Sequence, residues 1–184
     1  ANQKLQTINE HVGIRMRFLI VDAFSKRLFG GNPAGIVILP KGLDFPSDET
    51  MVKTAAELRY SETAFVSIIG NNEFRTRYFT PAAEVALCGH ATVGAFCALA
   101  HLGIIRKEDT CINHTLAGDL EVEVGSGYVM MDMATPKEIL TISDEDSLRE
   151  LYNVLGAQYE KTTGLLPEII STGLPDIIVP LPSK

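Results

Sequence analysis

Two short stretches carry residue types that could move a proton on an anionic substrate. The first is Tyr60-Ser61-Glu62-Thr63-Ala64-Phe65, where a helix-like pattern gives way to a strand-like one and Glu62 has mostly apolar neighbours. A carboxylate partly desolvated at such a junction has its pKa pushed up, into the range useful for taking and returning a proton. The plainer alternative is a solvated glutamate at a helix C-terminus. The second stretch is Cys88-Gly89-His90-Ala91-Thr92, at the entry to an apolar helix. Free N–H groups at a helix N-terminus bind anions, and the small residues Gly89 and Ala91 let a ligand approach. His90 adds a hydrogen bond or a positive charge and Thr92 a hydroxyl; the alternative is a capping turn with a satisfied histidine.

Other side chains are open to two readings. Cys88, beside a helix N-terminus and a histidine, would have a lowered pKa and could act as base or nucleophile; otherwise it is a small buried hydrophobe. Asn32, in Gly31-Asn32-Pro33-Ala34-Gly35, either holds a ligand carboxylate or starts a turn. Glu84 is a second acid in the pocket or the solvated side of a loop. Cys97, Cys111, His101 and His114 read as structural. The cysteines form no CxxC pair and leave an odd thiol, which fits a reducing cytoplasm. His11, His90, His101 and His114 are too dispersed for a zinc site, so no metal is expected.

The elements that must position these groups follow from periodicity. Met16–Phe24 reads as a buried strand, Gly30–Gly35 as a turn and Ile36–Leu39 as the next strand. Ser47 is placed to cap a helix whose first turn holds Asp48 and Glu49 and whose apolar stripe is Met51, Val52, Ala55 and Leu58. Thr63–Ile69 and Phe74–Phe79 flank Asn71-Asn72 as an antiparallel hairpin. Ala91–Leu102 is apolar almost all round, which predicts a helix buried on every side and closed by Gly103. Leu120–Val124 and Tyr128–Met133 form a second hairpin, Ser143–Leu155 an acidic amphipathic helix, and Ile177–Val179 a last strand. The order is β-β-α-β-β-α-β-β-α-β. It gives an α+β fold, a sheet curled around one buried helix.

Composition narrows the partners. A net charge of -7 with scattered basic residues argues against nucleic acid and anionic membrane. No apolar run is long enough to span a bilayer, and the first residues lack the core of a signal peptide. Residues 1–15 read as an extension before the fold.

Taken together, Val21-Asp22-Ala23-Phe24, Gly31-Asn32-Pro33-Ala34-Gly35, Ser61-Glu62-Thr63-Ala64-Phe65 and the run from Arg77-Tyr78-Phe79-Thr80-Pro81 through Glu84-Val85 to Leu87-Cys88-Gly89-His90-Ala91-Thr92 resemble the PhzF family of isomerases, the phenazine-biosynthesis-like proteins. The resemblance implies a diaminopimelate-epimerase-like fold of two pseudo-symmetric lobes, each a mixed, mostly antiparallel sheet around a central helix. It gives Glu62 the general acid/base role and Gly89 and His90 contacts with a small carboxylate-bearing substrate. It also implies no metal or organic cofactor, and a homodimer. By this reading 16–125 is the first lobe and 126–184 only the start of the second. The chain alone would then be inactive or dependent on another chain for the missing lobe. Competing readings are a cysteine-dependent racemase or epimerase using Cys88, and a non-catalytic binding protein that keeps the fold.

Overall fold

The computed structural model describes residues 16–159 and 164–181, in two compact units that divide between Asp132 and Met133. The extension expected over 1–15 lies outside the described residues.

The first unit runs β1 (Arg17–Ala23), β2 (Asn32–Ile38), α1 (Asp48–Leu58), β3 (Thr63–Gly70), β4 (Glu73–Phe79), β5 (Glu84–Val85), α2 (Gly89–His101), β6 (Asp109–Thr115), β7 (Gly118–Val124) and β8 (Val129–Met131). Its strands form one sheet in the order β1-β2-β3-β4-β6-β7-β8, with β5 added on β4. Only β2–β3 and β4–β6 pair in parallel. Parallel neighbours need a crossover, and α1 and α2 supply one each.

The two crossovers cover opposite faces of β1 to β4. Leu19, Ile36, Ile38, Ala64, Val66 and Tyr78 pack with the α2 residues Ala91, Ala95 and Leu99. Phe18, Val37, Phe65 and Phe79 pack with Met51 and Ala55 of α1. Both faces being buried, β1, β2 and β3 read as nearly continuous apolar runs, whereas β4 alternates Phe74, Thr76 and Tyr78 with Arg75 and Arg77. The parity is decisive for Glu62. Ala64 and Val66 face α2, so the residue two before Ala64 is directed to the same side.

Local signals hold where they are strong. Ser47 accepts a hydrogen bond from the Thr50 amide at 3.3 Å, and Arg59 in the left-handed region ends α1. Four expectations change. The turn assigned to Gly30–Gly35 is shorter, because β2 begins at Asn32. Pro33 is accommodated there because the β3 pairing starts only at Gly35, so the missing N–H is needed by no neighbour. A Cβ on Gly35 would stand 3.0 Å from Thr63 Oγ1 and 3.3 Å from both Leu58 and Phe18, so any larger residue would have to displace these side chains.

Helix α2 is not covered all round: Cys97 and His101 are exposed, since the sheet curls past the helix without joining β1 to β8. Strand β6 was not anticipated, because it turns Cys111 and Asn113 inward and leaves Ile112 outward. Finally, β8 pairs with β7 and the Asp132 amide donates to Glu121 O, so the first unit ends at Asp132 rather than at 125.

The second unit contains β9 (Lys137–Thr141), α3 (Glu145–Val154), β10 (Glu168–Ser171) and β11 (Pro175–Ile178). Its antiparallel sheet has β10 between β9 and β11. Asp144 caps α3, which buries Leu148 and Tyr152, and the Tyr152 hydroxyl donates to Pro180 O at 2.6 Å. β9 and β10 were not read from the sequence. Their short polar segments leave Ile139 and Leu140 exposed, so no buried face marks them. Among the described residues no helix is long and apolar enough to cross a membrane.

Candidate active site

The loop leaving α1 and the first turn of α2 meet at the mouth of the curled sheet. The Gly35 amide donates to Glu62 O at 3.2 Å and fixes the backbone just before β3. With the side chain directed toward α2, Glu62 Oε2 lies 3.5 Å from His90 Nε2. Ser61 Oγ is 3.4 Å from the same nitrogen, and Cys88 Sγ is 3.3 Å from Nδ1 on the other side of the ring. The imidazole is 9% exposed and the carboxylate 23%, so His90 is held and Glu62 can reach a ligand.

The helix entrance completes the constellation. Cys88 occupies the N-cap position in an extended conformation, and Thr92 N makes the first bond of the helix, to Cys88 O at 3.0 Å. The amides of Gly89, His90 and Ala91 therefore precede the helical ladder. No heavy atom stands within 4 Å of where a Gly89 Cβ would be, so the space beside Gly89 at the helix entrance is open.

Cys88 departs from expectation. Burial pushes its thiol up to about 11; the Ala91 and His90 amides favour the thiolate, but the Glu62 charge opposes it. The helix N-terminus does not win against desolvation, and the group is a thiol. The thiol lies 3.3 Å from His90 Nδ1 and also has the Glu62 carboxylate as a hydrogen-bond partner.

Thr92 and Ala91 are in the turn, but their side chains do not face a ligand, since both are fully buried. The Thr92 hydroxyl donates to Cys88 O at 2.7 Å and accepts from Tyr78, whose OH lies 2.6 Å away. Tyr78 in turn accepts from Asn113 Nδ2 at 3.1 Å, and Asn113 Oδ1 accepts from Thr76 at 2.7 Å. This buried chain from β6 through β4 fixes the Cys88 carbonyl and with it the helix entrance. Burial pushes the Tyr78 hydroxyl up to about 12, so it remains a donor. Sequence reasoning assigned no role to Ser61, Tyr78 or Asn113; an asparagine at an inward position of a strand is the signal that could have found the last.

Asn32 stands apart. It opens β2 on the face shared with Ala34 and Ile36, exposed. The Gly35–Thr63 register puts it about 7 Å along the strands from the level of Glu62. Glu84 is neither a pocket acid nor a solvated side chain. Arg77 holds it with two bonds, Nε to Oε1 at 2.7 Å and Nη2 to Oε2 at 2.6 Å, which pins β5 on β4. His114 also has partners, Asp119 at 2.6 Å and Glu73 at 3.0 Å. The spacing that argued against a metal cluster did not anticipate that one ligand atom each from Glu62, Cys88 and His90 would lie within 4.8 Å of one another.

Comparison with known proteins shows what the chain as a whole is similar to. The chain is 33% identical over 167 residues to the uncharacterized isomerase YfhB of Bacillus subtilis, covering 88% of this chain and 55% of that protein. It matches the crystal structure of a PhzF-family phenazine biosynthesis protein from Bacillus anthracis at 31% identity and a TM-score of 0.74, over 90% of this chain and 55% of that one. A hydroxyproline epimerase from Agrobacterium vitis, 15% identical with a TM-score of 0.54 over 89% of this chain and 51% of that one, shares the fold. The chain thus spans about half the length of the relatives it matches. With the phenazine biosynthesis-like family model matching residues 21–184, the chain belongs to the PhzC-PhzF family.

Proposed function

We propose that the chain carries the acid/base half of an isomerase that shifts a proton on a small carboxylate-bearing substrate, using protein side chains without a cofactor. The observation that supports this most directly is the Glu62–His90 pair, 3.5 Å apart, at the helix entrance with its open space beside Gly89. A substrate carboxylate on the helix-entry amides would place an adjacent C–H near Glu62. Charge spreading toward the carboxylate as the proton leaves is stabilised by the same N–H groups and the helix N-terminus. Glu62 then returns the proton elsewhere on the molecule, with His90 holding the carboxylate in place. That relatives are named isomerases fits this chemistry.

Because the match covers 55% of the YfhB length, the reaction is proposed for a protein of the relatives' full length. Little or no turnover is proposed for residues 1–184 alone. A homodimer, or association with a chain supplying a second lobe, belongs to the same proposal. So does a reducing cytoplasm, consistent with free Cys88, Cys97 and Cys111.

The test is solvent-deuterium incorporation into amino-acid-like and aromatic-precursor carboxylic acids by the full-length protein, followed by NMR. Glu62→Gln should abolish exchange and Cys88→Ala should retain it. Exchange that survives Glu62→Gln removes the assignment; loss only in Cys88→Ala transfers it to the thiol.

A further inference from the structure

Beyond the proton-transfer reading, the geometry points to a cation site: we propose that Cys88, His90 and Glu62 bind a thiophilic divalent ion of the zinc type. Three ligands of mixed softness meet in one corner, a sulfur, an imidazole nitrogen and a carboxylate oxygen. That set suits zinc and its neighbours rather than calcium or magnesium, which prefer all-oxygen sites.

The distances fit. With zinc–sulfur near 2.3 Å and zinc–nitrogen near 2.0 Å at a tetrahedral angle, two ligands of one ion stand about 3.5 Å apart. Cys88 Sγ and His90 Nδ1 are already 3.3 Å apart. One ligand atom each of Glu62, Cys88 and His90 lies within 4.8 Å of the others, and the Glu62 side chain, now 3.5 Å from Nε2, is partly exposed and free to turn toward an ion on Nδ1. Ser61 Oγ, 3.4 Å from His90 Nε2, would accept the remaining ring N–H and hold the imidazole as ligand-supporting groups do. The open space at Gly89 leaves a fourth position for water.

The charge also balances. Binding exchanges the thiol proton for the ion, so Cys88–SH and the dication give a thiolate–metal bond and a proton released to solvent. Thiolate and Glu62 carboxylate together neutralise the dication. An ion so bound occupies Glu62 and excludes it from acid/base work. That consequence rests on the proposed reaction; the binding itself does not.

The experiment uses the 184-residue chain, reduced, and cobalt(II) as the probe. Stoichiometric cobalt should produce a near-ultraviolet thiolate-to-metal charge-transfer band with intense tetrahedral ligand-field bands, both bleached by zinc. Cys88→Ser should lose the charge-transfer band while keeping the wild-type circular dichroism. His90→Gln and Glu62→Gln should weaken cobalt binding about tenfold or more. Cys97→Ser tests the rival on the same helix, where exposed Cys97 and His101 are one turn apart; it should leave the band intact. No band at millimolar cobalt, a band that persists in Cys88→Ser, or one lost in Cys97→Ser overturns the proposal. These outcomes are read without turnover, so they are independent of whether the isomerase reading stands.

Discussion

Replacing Tyr78 with Phe probes the buried chain that holds the helix entrance. The hydroxyl is fully buried and has two partners, Thr92 Oγ1 at 2.6 Å and Asn113 Nδ2 at 3.1 Å. Thr92 spends its own proton on Cys88 O, so Tyr78 is the donor in their shared bond. Phe keeps the ring and its contacts but leaves an Asn113 N–H and a Thr92 lone pair without partners inside the core. An unsatisfied buried group costs about 1–3 kcal/mol, and with little cavity term the sum should be about 2–3 kcal/mol. In urea this moves the unfolding midpoint down by about 1 M at a slope near 2 kcal/mol per molar, with the slope unchanged. Thr92→Val removes the other end of the same bond, so the double variant should cost about 1 kcal/mol less than the two single losses added. A Tyr78→Phe loss below about 0.5 kcal/mol, or strict additivity, would refute the view that this chain is a coupled unit.

Two further changes test the site and its frame. Gly89→Ala adds a methyl where no atom lies within 4 Å, so stability should hold or rise by up to about 1 kcal/mol. The same methyl fills the open space beside Gly89, and kcat/KM of the full-length protein should fall about a hundredfold; an unchanged value would remove the turn from substrate binding. Asp119, and less strongly Glu73, hold His114 above its ordinary value. The raised pKa means that its stabilisation is complete below the ordinary value of 6.5 and is lost as pH rises through the folded-state value. The stability gap between wild type and His114→Gln should therefore close with rising pH; a gap constant across that range, or an NMR titration of His114 at or below 6.5, would contradict the pairing.

Much of the fold was legible because its signals are local. Ser47 could be read as a cap because the amide it satisfies, Thr50 N, is three positions on. The β3–β4 hairpin showed through its asparagine turn, where Asn72 takes φ 58°. The helix entrance at Cys88–Thr92 showed because a long apolar run follows it. Strand β6 was invisible for the opposite reason: its inward residues include Asn113 and an outward one is Ile112, so its pattern inverts the usual alternation. Glu84 could not be read either, since nothing near it in sequence announces the Arg77 fork.

By itself, then, the sequence determined which groups could do chemistry and which turns would present them. A carboxylate, a histidine, a glycine and a helix start are local facts. The tertiary structure decided which of them act together. Strand order and parity brought Ser61 and Glu62 against His90, turned the Thr92 hydroxyl inward to Tyr78, and buried Cys88 enough to keep its proton. Periodicity reports only neighbours within a turn or a pleat, whereas burial and side-chain pairing depend on which distant strands become adjacent, and those set the protonation and partners of a site.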